Sequence, residues 1–216
     1  MPSVSFRDRL LRRASEAGVA VSGETTRLLH AYYDLLTKWN ARINLTGLQL
    51  DPPTDETFDR LLIEPLAAAP YIRAQPTRWF DLGSGGGSPA LPLKIVWPAA
   101  ELLMVESKAR KCAFLSEAVR TLGLQRVQVF NLRFDELAAR SPEPGQLVTV
   151  RAVRPDEALS KTAAQLLAPE GSLLLFRHGG KPVLMHRFRH VETHALVESR
   201  SAYLSIYAKM FHVEHN

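Results

Sequence analysis

The sequence predicts an α/β fold, a mostly parallel sheet with helices on both faces, preceded by a helical segment. Three observations carry that prediction. From residue 78 onward, short apolar runs of strand type alternate with amphipathic runs of helix type. Before residue 78 the apolar residues recur only at helical spacing. At the junction, "FDLGSGGGSP" (80–89) gathers four of the chain's twelve glycines between the first strand and the helix after it. With 216 residues, 46% hydrophobic and 23% charged, the chain is long enough for one sizeable core.

The elements follow in order. Phe6, Leu10, Leu11, Ala14 and Ala17 share one helical face, and Gly18 ends that helix. Ser22 caps a second helix with the stripe Leu28, Leu29, Tyr32, Leu35, Leu36 and Trp39. "LQLDPPTDET" (48–57) reads as a loop, and a third helix is expected over 57–72, kinked at Pro65. Strands are expected at 79–82, 101–106, 126–131, 146–150 and 172–176, with helices at 89–96, 108–122, 134–139 and 155–167. The last stretch, from Val191, shows two period-2 segments with no helix between them, which predicts an antiparallel pair at the sheet edge. The expected organisation is a helical extension over residues 1–76 packed on a core of 77–216.

Charge and cysteine usage narrow the setting. A net charge of +5 and a pI near 9.6 point to a polyanionic partner. The single cysteine, Cys112, forms no internal disulfide, which suits a reducing compartment. No run of about 18 apolar residues and no signal-type segment are present, so a cytoplasmic protein without membrane association is expected.

The glycine stretch excludes two ligand classes. Its spacing is Gly83-x-Gly85-x-Gly87, with Ser88 where the last glycine of a dinucleotide fingerprint should stand. No Gly-Lys-Ser/Thr follows, so it is not a phosphate-gripping P-loop. Ser88 suits an N-cap and Pro89 the first helical position. What remains is Asp81 at the strand end, the glycine turn, and Glu106 ending the second strand, 23 positions after Gly83. A carboxylate there can accept both hydroxyls of a ribose. The plain alternative is a turn that only links strand to helix, but turn, strand and acid together favour a ligand.

This arrangement resembles the class I S-adenosylmethionine-dependent methyltransferases, whose Rossmann-like, mostly parallel sheet carries an antiparallel edge strand. Their cofactor has no phosphates and calls for close backbone approach. The segment "LLTKWNARINLTG" (35–47) sharpens the likeness. Trp39-Asn40-Ala41-Arg42-Ile43-Asn44-Leu45-Thr46 fits the "W-N-x-x-x-N-L-T" signature of the glucose-inhibited division protein B family, the 16S ribosomal RNA (guanine-N(7)-)methyltransferases. "DLGSGGGSPALPLKI", "VESKARKCAFL", "NLRFDEL" and "VRAV" are similar to further family segments in the same order, so the resemblance covers roughly residues 25 to 180.

The resemblance implies S-adenosylmethionine as cofactor and 16S ribosomal RNA or the small subunit as partner. Asp81, Gly83, Gly85, Gly87, Ser88, Glu106, Phe134, Asp135 and Arg151 are then expected at the cofactor, with Glu106 on the ribose and Phe134 and Asp135 beside the adenine. Three departures fall on the substrate side. Leu61 replaces a histidine, Glu64-Pro65 replaces Asp-Ser, and "LFRHGGK" replaces a strand-ending Lys-Gly. Arg177, His178 and Lys181, with Asn44, are therefore candidates for positioning, and no catalytic side chain is assigned.

RNA contacts are expected from Lys38, Asn40, Arg42, Asn44, Lys108, Arg110 and Lys111, and from Arg7, Arg9, Arg12 and Arg13 on the first helix. Each alone reads as a solvated position; together they fit phosphate binding. His186, His190 and His194 recur every four residues, but Arg187 and Arg189 and the strand-like turn near Val191 argue against a metal site. "FHVEH" (211–215) reads as a solvated tail, and Cys112 as packing. A monomer is expected. Two other readings stand beside the favoured one: a methyltransferase of a small molecule or protein with the front helices as a lid, and a non-catalytic RNA-binding relative.

Overall fold

A computed structural model describes residues 5–72, 75–197 and 201–210. Two helices open it, α1 (Phe6–Glu16) and α2 (Gly23–Asn40). Ser5 caps α1 by accepting from the Asp8 N–H, and Ser22 caps α2 by accepting from the Thr25 N–H. The buried face of α2 is Leu29, Tyr32, Tyr33 and Leu36, while Leu28, Leu35 and Trp39 are half-buried.

A helical run follows in four pieces: α3 (Asp55–Phe58), a π turn (Asp59–Ile63), α4 (Glu64–Ala68) and a 3-10 turn (Ala69–Tyr71). It replaces the single kinked helix read from the sequence. It starts early because the Thr54 hydroxyl accepts from the Thr57 N–H. Within the π turn the Glu64 N–H reaches back five residues to the Asp59 carbonyl. In that register the partner of the Arg60 carbonyl would be the N–H of residue 65, and Pro65 has none. The Arg60 carbonyl is thus left for other donors.

The sheet has seven strands in the order β3-β2-β1-β4-β5-β7-β6. They are β1 (Arg78–Leu82), β2 (Glu101–Glu106), β3 (Val127–Asn131), β4 (Gly145–Arg151), β5 (Leu167–His178), β6 (Phe188–Val197) and β7 (Ala202–Lys209). The first five pair in parallel. The antiparallel member is β7, one place in from the edge, between β5 and β6. Helices α5 (Ala90–Val96), α6 (Ala109–Thr121), α7 (Phe134–Ala139) and α8 (Glu157–Leu166) link the parallel strands.

The two faces of the sheet bury separate apolar clusters. One joins Leu10, Leu29 and Leu36 of the front helices to Leu91 and Phe114 of α5 and α6 and to Trp79 and Leu174 of the sheet. The other packs Leu159, Ala163 and Leu166 of α8 and Leu137 of α7 against Phe80, Val148 and Leu173. The front helices therefore share a continuous core with the sheet, which fixes their position over its carboxyl edge.

A buried ion pair pins α1 to the π turn. Arg13 donates from Nε and Nη2 to the two carboxylate oxygens of Asp59 at 2.7 and 2.6 Å, and Asp59 is fully buried. Removing one member of such a pair leaves a buried charge poorly compensated. Arg13→Met is expected to cost about 3–5 kcal/mol of stability at pH 7. Adding Asp59→Leu should recover most of it, and urea denaturation of both variants measures the difference. A single variant as stable as the parent would mean that the pair holds nothing in place.

Candidate functional site

The carboxyl ends of β1, β2, β4 and β5 meet at one edge of the sheet, where open α/β folds bind ligands. The turn after β1 is fastened from three sides. The Gly83 N–H donates to the Val105 carbonyl at 2.8 Å. The Tyr32 hydroxyl of α2 donates to the Gly86 carbonyl at 2.6 Å. The Gly85 N–H donates to Glu106 Oε2 at 3.0 Å.

The glycines are needed for different reasons. Gly83, Gly85 and Gly87 have φ of +76°, +51° and +86°. A Cβ on Gly83 would lie 2.6 Å from Val153 Cγ2, and one on Gly87 2.5 Å from Leu91 Cδ1. On Gly86 it would meet the Leu45 carbonyl at 3.3 Å. At these positions the protein's own chain excludes side chains. Gly85 differs, since its nearest neighbour there is the Gly83 carbonyl at 3.7 Å. It faces a cavity of about 600 Å³ walled by Leu45–Leu48, the glycine turn, Ser88, Glu106, Lys111 and Arg151–Val153.

The signature around Trp39 builds one wall of that cavity. Trp39 is half-buried, packs edge-on against Phe114 and donates from Nε1 to Glu117 at 3.2 Å. Asn40 Oδ1 accepts the N–H groups of Leu45 and Thr46 at 2.8 and 3.0 Å. Asn40, expected at the RNA, uses its Oδ1 to clamp the loop from inside. Asn44 is exposed at the tip of the same loop.

Glu106 is 7% exposed and lines the cavity. Its Oε1 accepts the Lys108 N–H at 2.9 Å, so each oxygen holds one backbone donor. A carboxylate has about four acceptor sites, which leaves capacity for two hydroxyls.

Arg151 is the hub of the edge. Its guanidinium donates to the Arg60 carbonyl, the group that Pro65 cannot serve. Nη2 lies 2.9 Å from Glu64 Oε2, and the cation sits 4.8 Å from the Phe176 ring. Burial pulls the Arg151 pKa down while Glu64 opposes the shift; burial pushes Glu64 up while Arg151 opposes it. We read the two as an ion pair, because neither has another full countercharge this close. The Ser88 hydroxyl donates to the Leu61 carbonyl at 2.9 Å instead of capping α5, whose N-cap is Pro89 and which has no side-chain cap. Leu61, where the resembling family has histidine, lines the cavity.

Several expected contacts lie elsewhere. Asp81 is 1% exposed and accepts the Thr149 hydroxyl at 2.6 Å beneath the turn, outside the cavity wall. Gly87 also lies outside that wall, and so do Phe134, half-buried on the α7 side, and Asp135, exposed and paired with Arg133 at 3.2 Å. Lys38, Arg42, Lys108 and Arg110 are exposed, and Lys111 reaches the cavity. On α1 the expected basic face is largely committed. Arg12 binds both Asp55 oxygens, Arg9 donates to the Pro53 carbonyl and Arg13 is buried on Asp59, while Arg7 is exposed. Arg177 donates to the Lys181 carbonyl at 2.8 Å, and His178 is exposed beside it. His190 bonds the Thr193 hydroxyl, His194 pairs with Glu192 at 3.0 Å, and His186 is exposed. "FHVEH" lies outside the described residues. Cys112 is buried, with its thiol donating to the Glu106 carbonyl at 3.1 Å.

The strand order, the reversed β7 and a cavity at this edge define the class I S-adenosylmethionine-dependent methyltransferase fold. A crystal structure of a SAM dependent methyltransferase from Aquifex aeolicus superposes with a TM-score of 0.52 at 15% identity, covering 69% of this chain and 91% of the other. Within that class the sequence is decisive. The family model described as rRNA small subunit methyltransferase G matches residues 25–197, and the chain belongs to that family. It is 38% identical over 160 residues to the ribosomal RNA small subunit methyltransferase G of Paramagnetospirillum magneticum, covering 74% of each chain. With the Pseudomonas aeruginosa protein of the same name it is 39% identical over 138 residues, 64% of this chain and 63% of that relative, so that match spans less than two thirds of the relative's length.

Burial raises the Asp81 pKa to about 6, against 3.8 for an unperturbed aspartate. The folded state thus holds this proton more tightly than the unfolded one. The contribution is full below about pH 3.8 and is lost as pH rises through about 6, a total of about 3 kcal/mol. Asp81→Asn keeps an acceptor for Thr149 and removes the titration. Its stability should fall less than that of the parent between pH 4 and pH 6.5, as followed by urea midpoints; parallel curves would place the titration elsewhere.

Proposed function

We propose that this protein transfers a methyl group from S-adenosylmethionine to N(7) of a guanine in 16S ribosomal RNA of the small subunit. The observation that carries the reading is the Glu106 carboxylate beside Gly85, where backbone and acceptor meet an open cavity. These residues fit the cofactor: Glu106 has capacity for the ribose hydroxyls, and Gly85 leaves room for close approach. Asn131, at the end of β3, is in register with Glu106, so Phe134 and Asp135 follow at the same edge, where we place the adenine end. Arg151 and Ser88 border the opposite end through their bonds to the π turn.

When bound, S-adenosylmethionine supplies a methyl group on a sulfonium, already activated for transfer. Guanine N(7) carries an in-plane lone pair, so no proton has to leave before attack. The chain's task is then alignment and exclusion of water, which suits a site without a nucleophile–base pair. The loop of residues 45–48 covers the cavity on one side, and the carbonyl-anchored Arg151 and Ser88 hold the other.

The polyanionic partner is supported by the net charge of +5 and by Lys108, Arg110 and Lys111 opening α6 beside the cavity, with Lys38 and Arg42 at the end of α2. Such contacts position an RNA and do not select its sequence. No helix among the described residues is long and apolar enough to cross a membrane. We place the protein in the cytoplasm, as a monomer.

Mapping N(7)-methylguanine in small-subunit RNA, from cells with and without the gene, tests the reading. One modified position should disappear, and purified protein with labelled cofactor should restore it. Transfer to no RNA would favour a non-catalytic relative, and transfer only to small molecules or proteins would favour the other enzymatic reading. Glu106→Ala should weaken binding of S-adenosylhomocysteine by at least about 1–3 kcal/mol, since both the hydroxyl acceptor and the anchor of Gly85 are lost. Gly85→Val should abolish that binding, as read by calorimetry. Unchanged affinity in both variants would move the cofactor out of this cavity.

A further inference from the structure

A second cavity of about 240 Å³ adjoins the first and shares Arg60, Arg151, Ala152 and Val153 with it. Its other walls include Glu64, Phe176, Arg177 and His178. Glu64 is 5% exposed, with Oε2 on Arg151. Its Oε1 is buried and has no hydrogen-bond partner among the described residues. A buried carboxylate oxygen without a donor is an unmet demand, and Glu64 lines a cavity that adjoins the proposed cofactor cavity.

The chemistry of that oxygen restricts what can meet it. An ionised carboxylate only accepts hydrogen bonds. Guanine alone among the RNA bases offers two adjacent donors on one edge, N1–H and the N2 amine. Adenine and cytosine set an acceptor beside their amine, and uracil flanks its single N–H with two carbonyls. Binding guanine by its N1/N2 edge also leaves N(7), on the opposite side of the fused ring, free to face the neighbouring cavity. The Phe176 ring and the flat Arg151 guanidinium stacked on it give the pocket surfaces on which an unstacked base can lie.

We propose that this cavity receives the target base, and that Glu64 determines specificity by accepting the N1–H and N2 amine of guanine. The inference rests on the methyl-transfer reading above. It also gives a role to a departure from the resembling family, the Glu64-Pro65 pair. Pro65 frees the carbonyl that holds Arg151, and Arg151 holds Glu64 by Oε2, which leaves Oε1 without a partner among the described residues.

The test uses small-subunit RNA carrying inosine at the mapped position. Inosine keeps N(7) and N1–H and lacks only the N2 amine. The parent protein should methylate guanine with kcat/KM higher than inosine by a factor of about ten or more, because losing one donor leaves the buried acceptor poorly met. Glu64→Gln should lower kcat/KM on guanine by about tenfold or more and narrow the guanine-to-inosine ratio to about threefold or less. A purely structural role would instead reduce cofactor affinity and both substrates alike, keeping the ratio, and would overturn the proposal. Equal parental rates on guanine and inosine overturn it without any variant, so a variant that fails to fold does not shelter it. No transfer to either RNA by the parent overturns the methyl-transfer reading as well, whereas transfer without discrimination overturns only the role of Glu64.

Discussion

The site depends on one buried cation. Arg151, at the end of β4, reaches Glu64 on α4, the Arg60 carbonyl in the π turn and the face of Phe176 on β5. A guanidinium so buried is tolerable only if its donors are matched by a charge and by fixed acceptors. One of those acceptors, the Arg60 carbonyl, is supplied by an irregularity in the helical run before the sheet. The π register moves every hydrogen bond back by one residue, and Pro65 then withholds the N–H that the Arg60 carbonyl would have taken. An α register over the same residues would have paired the Arg60 carbonyl with the Glu64 N–H and left the Leu61 carbonyl to lose its partner at Pro65 instead. The irregularity is in turn held by Arg13 on Asp59, so helix α1 acts on the site at a distance, through a second buried pair.

The same reasoning revises what the glycine cluster is for. In the sequence it reads as space for a ligand. In the structure, Gly83, Gly86 and Gly87 make space for Val153, Leu45 and Leu91. The turn is packed tightly against the chain on every side but one, and the remaining side, at Gly85, opens on the cavity. Tight packing of a turn is what holds its N–H groups in fixed directions, so packing and binding are served by neighbouring glycines in one short stretch.

Much of the fold was legible because it rests on local signals. Alternating runs gave the parallel sheet, Ser22 was a readable cap, and the period-2 tail announced the last two strands. The π turn was not legible. Residues 57–68 have helical spacing in either register, and the sequence shows only a proline whose effect depends on which carbonyl it deprives. The partners of Arg9, Arg12 and Arg13 were not legible for a related reason. Their carboxylate and carbonyl partners lie some forty residues away, and helical periodicity carries no information on such pairings. Asn40 had a turn-forming signal that was correct in kind, but its acceptor is used by the loop it creates. Glu64 was visible only as a departure from a resembling pattern; its meaning needed Arg151, which stands 87 positions further on.

The two cavities meet where the chain has least freedom. Ala152 sits at φ +57°, between Arg151 and Val153, and all three residues wall both spaces. A non-glycine residue in that region is a modest strain, sustained by the bonds of Arg151 on one side and the contact of Val153 with Gly83 on the other. A methyl transfer needs the acceptor nitrogen in line with the methyl group and close to it, without water between them. A border of three residues shared by both spaces, with its strain supported from both sides, gives the two spaces one fixed reference for that alignment. The polar groups here are bound to carbonyls and to each other, which keeps that shared border in place.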